Sequence, residues 1–506
     1  MLPVRRGLAE LRRLERPAQL LGLAVAVWVA VFGVLVWQLH DRFGTYAFDL
    51  GIHDQAIWLM ARGKSFVTIR GLDALGHHAT FAYWLLAPLS WLGAGPHVWN
   101  LLQVLTVGLG AVPVYVLART RLPGLPWVAL ALAGAWLLQP SVQFLLRETF
   151  HPEVMAATPL MAAYVAGERG AWRAYAVFLL LALLWKEDVA LAVVMLGLLQ
   201  LLRRRWRVGA LTAVAGAVWL ACTVALVVPA QNDGRTFYGE FYGDLGDTPL
   251  EVVGTGLTDP SAILDRLADN DALGYIGELL APTAFIALAA PEVLALGVPQ
   301  AFVNLLSVHA FTHDRRYHYV VLPLAAVMLA TVEGVARLAR VARARWGRGR
   351  ARVVAAPLAG VVLVVAGLST WAWGLAPGSR KADVYWASSG DPTVPALRRA
   401  VALVPDGAGV SAGQRAAPHL THREVVYTFP NPWQPGPSST YGIDPDERGD
   451  PAQVGWLVVS RPNLLPEDSA VLARVLASGA FAVRFDEAGV VVAERVRPPG
   501  RATSGI

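Results

Sequence analysis

The sequence predicts a mainly α-helical bundle that crosses the membrane about eleven times, followed by a small extracytoplasmic α/β domain. Three observations support this fold class. Hydrophobic residues make up 55% of the 506 residues and charged residues only 16%, whereas soluble domains carry about a quarter charged residues. Charge-free apolar runs approach the roughly 20 residues needed to cross a bilayer. After residue 375 the composition changes to one rich in Pro, Gly and charge.

The first predicted span lies at 18–39 and reads "AQLLGLAVAVWVAVFGVLVWQL". This run is too long for the core of a signal peptide, and no small-residue cleavage site follows it, so a retained signal-anchor is expected. The single cysteine, Cys222, lies in another apolar run. One cysteine excludes an internal disulfide framework and any multi-cysteine metal site.

Basic stretches next to the apolar runs predict the orientation of the chain. They read "VRRGLAELRRLER", "ARTRLPG", "GERGAWR", "RRRWR" and "RLARVARARWGRGRAR". The positive-inside rule places them, and the N-terminus, in the cytoplasm of a multi-pass plasma-membrane protein. The same arginines account for the net charge of +6, so no nucleic-acid partner is predicted. The stretch 281–307 must then begin and end outside, as two short spans or a re-entrant hairpin turning near Pro291 and Glu292.

The predicted domains are 1–375, a transmembrane helical domain, and 376–506, an extracytoplasmic α/β domain. Within the second, alternating and β-branched runs predict strands and helical periodicity predicts helices. The strand-like runs are "EVVYTF", "GWLVVS" and "AGVVVAERV", and the helix-like runs are "TVPALRRAVALV" and "EDSAVLARVLASG".

The stretch "FDLGIHDQAIW" at 48–58 is the first polar segment after the first span. Asp49 starts a run with helical spacing, so an N-cap is one explanation for this carboxylate. Capping does not explain why His53, Asp54 and Gln55 follow together.

The stretch "WKED" interrupts an apolar run with the charged residues Lys186, Glu187 and Asp188. Both ends of the run, 171–202, are flanked by arginine, so the charges are expected at the tip of a hairpin. Each arm has only about 15 residues, which would draw the tip below the membrane surface. Ionisable groups at such depth usually mark function, although a structural Lys–Glu pair is the alternative.

Further polar clusters are predicted to face the same side of the membrane. They comprise His77 and His78; Arg147, Glu148, His151 and Glu153; and His309, His313, Asp314, Arg315, Arg316 and His318. Loop histidines are usually hydrogen-bonded or solvated residues, so no single histidine indicates a site. The predicted position of all these clusters on one side of the membrane does indicate a functional site. Cations, carboxylates and imidazoles above an apolar bundle suit a substrate with a phosphate and a lipid tail.

Five motifs occur in this order: "FDLGIHDQAIW", "HHATFAYWLLAPL", "FHPE", "WKED" and "VSAGQRAAPHLTHREVVYTFPNPW". Together they resemble a family of predicted polytopic membrane proteins catalogued as a domain of unknown function. That family is similar to the GT-C superfamily of membrane glycosyltransferases. The resemblance implies a polyprenyl-phosphate sugar donor and a soluble outer domain. It matches Asp49 to the acidic residue of the first outer loop, and His77 or His78 to a histidine before the second span. The adjacent Asp-Glu pair of some GT-C enzymes is absent, because Leu50 follows Asp49.

The sequence therefore predicts a glycosyltransferase that moves a sugar from a polyprenyl phosphate to an envelope lipid, glycan or protein. Asp49 is the expected base, with Asp54 as second candidate. Arg147, Lys186 and Arg315 or Arg316 are expected to bind the phosphate. Substrate-binding or supporting roles fall to His53, Gln55, His77, His78, His151, Glu153, Glu187, Asp188 and His318. Asp49 and His78 are the candidate ligands for a divalent cation, Mg²⁺ or Mn²⁺. A lipid-linked sugar flippase and a non-catalytic assembly protein are the alternatives.

Overall fold

A computed structural model describes residues 15–232, 234, 238–347, 350–386, 390–434 and 449–497. Helices dominate the described part up to residue 386, and the chain then ends in a mixed sheet with helices on it. The helices of eight or more residues are Arg16–Asp41, Ile52–Met60, Tyr83–Trp91, Pro96–Leu109, Ala111–Arg121, Pro126–Leu137, Pro140–Arg147, Pro152–Glu168, Trp172–Leu183, Val189–Leu202, Trp206–Cys222, Pro249–Thr258, Pro260–Asp269, Ala272–Leu280, Val298–Leu306, Val321–Trp346, Arg350–Trp373, Thr393–Ala402 and Pro466–Ala477. This architecture confirms the predicted fold class.

Five helices among the described residues are long and apolar enough to cross a membrane, and a bent pair, Pro126–Leu137 with Pro140–Arg147, would make a sixth. The five are Arg16–Asp41, Pro96–Arg121, Trp206–Ala230, His318–Trp346 and Arg350–Trp373. Other predicted spans form shorter helices, such as the two arms around "WKED", Trp172–Leu183 and Val189–Leu202. The number of about eleven crossings therefore stays a prediction.

The segment 281–307 folds back on itself beside the long helix His318–Trp346. Its first part reaches Gly334, against which Ile286 and Ala289 pack, and Glu292 pairs with Arg337. The chain then returns, since Gly297 packs on Pro323 near the start of the long helix. A turn near Pro291 and Glu292 agrees with the predicted hairpin.

The long helix His318–Trp346 lies at the centre of the bundle, and its apolar part is almost entirely buried. Its Glu333 carboxylate accepts hydrogen bonds from Arg121 Nε at 2.7 Å and from the Tyr164 hydroxyl at 2.8 Å. Arg121 also pairs with Glu168. These ion pairs tie three helices together about 22 Å along the helix from His318, at 1.5 Å per residue.

The C-terminal region, defined as residues 390–497, contains a five-stranded mixed sheet. Its strand order is Val426–Thr428, Val410–Ala412, Trp456–Ser460, Val490–Arg495 and Phe481–Glu487, with the first three parallel and the last two antiparallel to their neighbours. Every predicted strand and helix of this region is present, and the strands Val410–Ala412 and Phe481–Glu487 were missed. Sheet residues such as Val410 and Val426 share one hydrophobic core with Leu50 and Ile52 near the first span. The predicted domain boundary at 375/376 stays a prediction.

Candidate functional site

A cavity of about 1390 Å³ lies between the helical bundle, the loops that connect its helices and the C-terminal region. One wall is apolar and comes from helices Val189–Leu202, Trp206–Cys222 and Val298–Leu306. The other wall is polar and holds many of the residues singled out in the sequence. These are Asp49, His77, His78, Arg147, Glu148, Lys186, Glu187, Asp188 and His318. The convergence of separate loops on one cavity, inferred from their shared sidedness, is therefore present in the fold.

Asp49 lies in an unusual backbone conformation in the first loop, defined as residues 42–51. Its φ is 67° and its ψ −99°, a combination that non-glycine residues rarely adopt. The following helix starts at Ile52 with Gly51 as its N-cap, and no side chain of the described residues caps it. The N-cap explanation for Asp49 is therefore wrong, because the turn places its carboxylate in the cavity wall.

A chain of paired groups lies behind Asp49. His151 Nε2 is 3.3 Å from Asp49 Oδ1, and the His151 ring stacks on His318 with centroids 3.9 Å apart. His318 Nε2 is in turn 3.3 Å from Glu153 Oε1. Burial alone would lower the pKa of His151, but the Asp49 carboxylate raises it to about 9. His151 is therefore a cation at neutral pH and holds the Asp49 carboxylate in place.

Lys186 extends this chain of paired groups beyond Glu153. Its Nζ donates to Glu153 Oε1 at 2.6 Å and lies 3.7 Å from Asp188 Oδ2. Burial opposes the charged ammonium, but Glu153 and Asp188 raise the pKa of Lys186 above its ordinary value, so the charge is kept. Lys186 thus forms its closest ion pair with Glu153 of the helix Pro152–Glu168 and not with its neighbour Glu187.

The two acids that follow Lys186 differ in environment. Glu187 accepts from the Ala79 N–H at 3.0 Å and from the Tyr238 hydroxyl at 2.8 Å, and it lies 2.8 Å from His78 Nδ1. It therefore fixes the loop that carries His77 and His78. Burial raises the pKa of Asp188 to about 7; Lys186 opposes this rise and Glu153 and Glu187 add to it. Asp188 therefore changes charge near neutral pH.

Four lysine and arginine side chains of the described residues line the cavity, and sequence reasoning found two of them. Arg147 and Lys186 were predicted, whereas Arg70 and Arg415 were missed. Arg147 is oriented by a hydrogen bond from its Nε to the Tyr385 carbonyl at 3.2 Å. No sequence motif marks Arg70. Arg415 lies in the quoted stretch "VSAGQRAAPHL" and was overlooked because its partners are distant in sequence.

Arg315 and Arg316 do not line this cavity. They line a second cavity of about 490 Å³ together with His313, Asp314 and Glu278. Arg315 Nε lies 3.2 Å from Glu278 Oε2, and Arg316 is held by Asp314 at 2.5 Å. The two cavities share Tyr385 in their walls. The predicted contact of these arginines with the donor phosphate therefore has no support from their position.

Asp54 and Gln55 are buried away from the cavity. Asp54 is fully buried, accepts from Trp99 Nε1 at 2.6 Å, and contacts the Thr421 hydroxyl and His422. Gln55 donates to the Thr68 hydroxyl at 2.8 Å and accepts from the Ile69 N–H at 3.1 Å. Both side chains join the first helix after the loop to its neighbours, which explains their polarity without catalysis.

His53 and His77 lie between the buried residues Asp54 and Gln55 and the residues that line the cavity. His53 is buried, and its Nδ1 lies 2.5 Å from the Tyr83 hydroxyl. Its ring also contacts His77 and His151, with centroids 6.2 and 5.8 Å apart. His53 therefore supports the cavity wall from behind, while His77 reaches the cavity itself.

The described residues best placed to hold a cation are Glu148, His151 and His318. One potential ligand atom from each lies within 4.8 Å of the others. The pair considered from the sequence was Asp49 and His78, but His78 is turned toward Glu187. Two imidazoles and a carboxylate suit a transition metal such as Mn²⁺ or Zn²⁺ better than Mg²⁺, which prefers oxygen ligands.

Comparisons with known proteins agree with the fold. The family described as "Predicted membrane protein (DUF2079)" matches residues 39–492. The chain belongs to this family. No curated protein matches the sequence significantly. Among solved structures, ArnT from Cupriavidus metallidurans bound to undecaprenyl phosphate is similar, with 15% identity and a TM-score of 0.53 over 93% of this chain and 97% of ArnT. The apo state of the same protein gives 15% identity and a TM-score of 0.54 over 95% and 98%. At this identity the likeness establishes a fold shared with ArnT, and the predicted resemblance to the family of predicted membrane proteins is confirmed.

Proposed function

We propose that the chain is an inverting glycosyltransferase that moves a sugar from a polyprenyl phosphate to a hydroxyl of an envelope lipid, glycan or protein at the outer membrane face. The observation that carries the proposal is the cavity in which the Asp49 carboxylate, Lys186 and Arg147 meet an apolar helical wall. The cavity is larger than the ~300–1,000 Å³ of ordinary small-molecule pockets. It therefore offers room for a donor headgroup and an acceptor together. The fold shared with ArnT, which was crystallised with undecaprenyl phosphate, supports the donor class.

The proposed reaction is a single displacement at the anomeric carbon. The acceptor oxygen forms a bond to this carbon as the bond between the carbon and the phosphate oxygen breaks, and the configuration inverts. The acceptor proton passes to the Asp49 carboxylate, and the polyprenyl phosphate leaves with the electron pair. Lys186 and Arg147 stabilise the charge that grows on the phosphate. His151 and Glu153 position these groups without contacting the reacting atoms.

A divalent cation has candidate ligands at the same site. Glu148, His151 and His318 would hold it once His151 has given up its proton, and it would supply further positive charge near the leaving phosphate. Arg70 and Arg415 contribute positive charge to the same cavity.

The proposal is tested with the purified chain in detergent or nanodiscs, radiolabelled polyprenyl-phosphate sugars and extracted envelope lipids and glycans. Transfer of label to an acceptor, lost in Asp49→Asn, is expected. Movement of labelled donor across a vesicle bilayer without transfer would instead indicate the flippase. Binding of neither donor nor acceptor in any combination would indicate an assembly protein.

A further inference from the structure

Two consecutive residues of the C-terminal region hold both halves of the first loop. The Ala47 N–H donates to the Gln414 carbonyl at 2.8 Å, and the Phe48 N–H donates to Gln414 Oε1 at 3.3 Å. Arg415 Nε donates to the Phe43 carbonyl at 2.8 Å. The two residues immediately before Asp49 are therefore both bonded to one glutamine, 366 positions away in sequence from Phe48.

The conformation of Asp49 requires such support. Phe48 is extended, with ψ 143°, and Asp49 then turns with φ 67° and ψ −99°. A residue in a sparsely populated backbone region persists only when its surroundings fix it. His151 contacts the Asp49 side chain, but the backbone just before Asp49 is fixed by Gln414.

Contacts of the residues next to Gln414 hold it in place. Arg415 Nη1 lies 2.8 Å from Asp391, and Gln414, Arg415 and Asp391 all line the cavity that holds Asp49. Val410 and Ala412, just before Gln414, pack in one hydrophobic core with Leu50, just after Asp49. The strand and the first loop therefore form one packed unit.

From this geometry we propose that Gln414 is a positioning residue for Asp49, so that the C-terminal region completes the catalytic site. The inference rests on the proposed function for the role of Asp49. The contact between Gln414 and the first loop can be tested without it.

The first experiment measures hydrogen exchange in the full-length protein by mass spectrometry. Gln414→Met keeps the side-chain size but removes the acceptor for the Phe48 N–H. Peptides covering residues 44–51 should exchange about three- to tenfold faster, which is the range expected for one lost hydrogen bond. The control is Gln453→Met, because the Gln453 side chain accepts from the Tyr427 hydroxyl in the same region, away from the first loop. Unchanged exchange in Gln414→Met would overturn the inference.

The second experiment measures transfer kinetics per folded molecule. Gln414→Met should lower kcat about 10- to 100-fold with little change in KM, because a displaced base affects the transition state more than substrate binding. Gln453→Met should retain the wild-type kcat. A Gln414→Met enzyme with faster exchange but unchanged kcat would show that the loop contact is structural only, and the positioning role would be wrong.

A conservative variant separates positioning from packing. Gln414→Glu still accepts from the Phe48 N–H, so kcat at the optimal pH should return to within about threefold of wild type. Its added negative charge should raise the pKa of a carboxylate in the same cavity, so the acidic limb of the pH profile should move to higher pH. If Gln414→Glu is as slow as Gln414→Met, or if its acidic limb does not move, the positioning role is wrong. If the wild type transfers no sugar, the proposed function fails, and the exchange experiment alone decides whether Gln414 holds the loop.

Discussion

At the residue scale, Asp49 is distinguished by its backbone as much as by its carboxylate. Asparagine tolerates a positive φ at least as well as aspartate, so Asp49→Asn should fold normally. It cannot accept a proton, and transfer should fall about 10²- to 10⁴-fold, the usual contribution of a general base. Initial rates with saturating donor, measured per folded molecule, provide the test. Full activity of the asparagine variant would remove Asp49 from the mechanism.

Two further aspartate variants separate the fold from the chemistry. Asp49→Ala should also lower the free energy of unfolding by about 1–3 kcal/mol, because alanine does not favour this conformation. Asp54→Asn should lower stability and not activity, whereas Asp49→Asn should lower activity and not stability. It weakens buried contacts to Trp99, Thr421 and His422, so the Tm should fall while activity per folded molecule persists. Loss of activity in a stably folded Asp54→Asn protein would contradict this assignment.

The candidate cation ligands allow another prediction at this scale. The group of Glu148, His151 and His318 should bind Mn²⁺ at least about tenfold more tightly than Mg²⁺, since imidazole favours transition metals. Titration calorimetry on protein stripped with a chelator measures both affinities. His318→Gln should abolish the preference for Mn²⁺, while His309→Gln, which lies outside the group, should keep it. Equal affinities for the two ions in the wild type would exclude this group as a transition-metal site.

The sequence identified most of the charged residues in the cavity but not their partners. Asp49, Lys186 and Arg147 stood out because charge is rare in a chain with 16% charged residues. The ion pair of Lys186 with Glu153 joins the turn between two helices to the helix Pro152–Glu168, and no local pattern encodes it. Asp54 and Gln55 carry the same polarity signal as Asp49, yet they are buried hydrogen-bonding residues. Periodicity alone cannot separate these two outcomes over a single helical turn.

At the scale of elements, the short helices around "WKED" decide where its charges lie. Trp172–Leu183 has 12 residues and Val189–Leu202 has 14, so the tip between them is drawn into the cavity wall. How deep this tip lies relative to the membrane surface stays a prediction. The strand Val410–Ala412 was missed because three residues are too few to show alternation, and its pairing partners lie far along the chain.

The same tip predicts how donor binding depends on pH. The pKa of Asp188 is raised to about 7, so the group is neutral below this pH and negative above it. Above pH 7 it neutralises Lys186 and repels a phosphate. The affinity for undecaprenyl phosphate should therefore fall as the pH rises from about 6 to about 8, by up to about tenfold, despite the growing charge of the phosphate itself.

Asp188→Asn isolates this effect, because it keeps the size of the side chain and removes its titration. Its affinity should be as high at the upper end of this pH range as at the lower end, or higher. Tryptophan fluorescence or calorimetry with undecaprenyl phosphate in detergent measures both proteins. An identical pH dependence in the wild type and in Asp188→Asn would assign the effect to another group.

At the scale of the whole molecule, the arrangement of charge relates the site to the membrane. The long helix His318–Trp346 starts at the cavity and ends in an arginine-rich stretch that contains Arg343 and Arg345. The first span, Arg16–Asp41, ends next to the first loop and begins beside a basic stretch. Charge asymmetry thus predicted which loops would meet. The shape of the cavity and the contact between the C-terminal region and Asp49 depend on packing between distant segments, which single-sequence patterns do not record.

The last prediction concerns orientation and uses the full-length chain. Cys222 is exposed, so Cys222→Ser provides a background without reactive thiols. On this background, Glu467→Cys in the C-terminal region and Arg345→Cys at the end of the long helix each place one exposed thiol at a site predicted to lie on a different side of the membrane. The positive-inside rule predicts that a membrane-impermeant maleimide labels the Glu467→Cys protein in intact cells, whereas the Arg345→Cys protein is labelled only after the membrane is permeabilised. The opposite labelling pattern in intact cells would place the cavity on the cytoplasmic side. A transferase working there would meet nucleotide-activated donors, so this result would contradict the proposed polyprenyl-phosphate chemistry at the outer face, even if Asp49 proved essential.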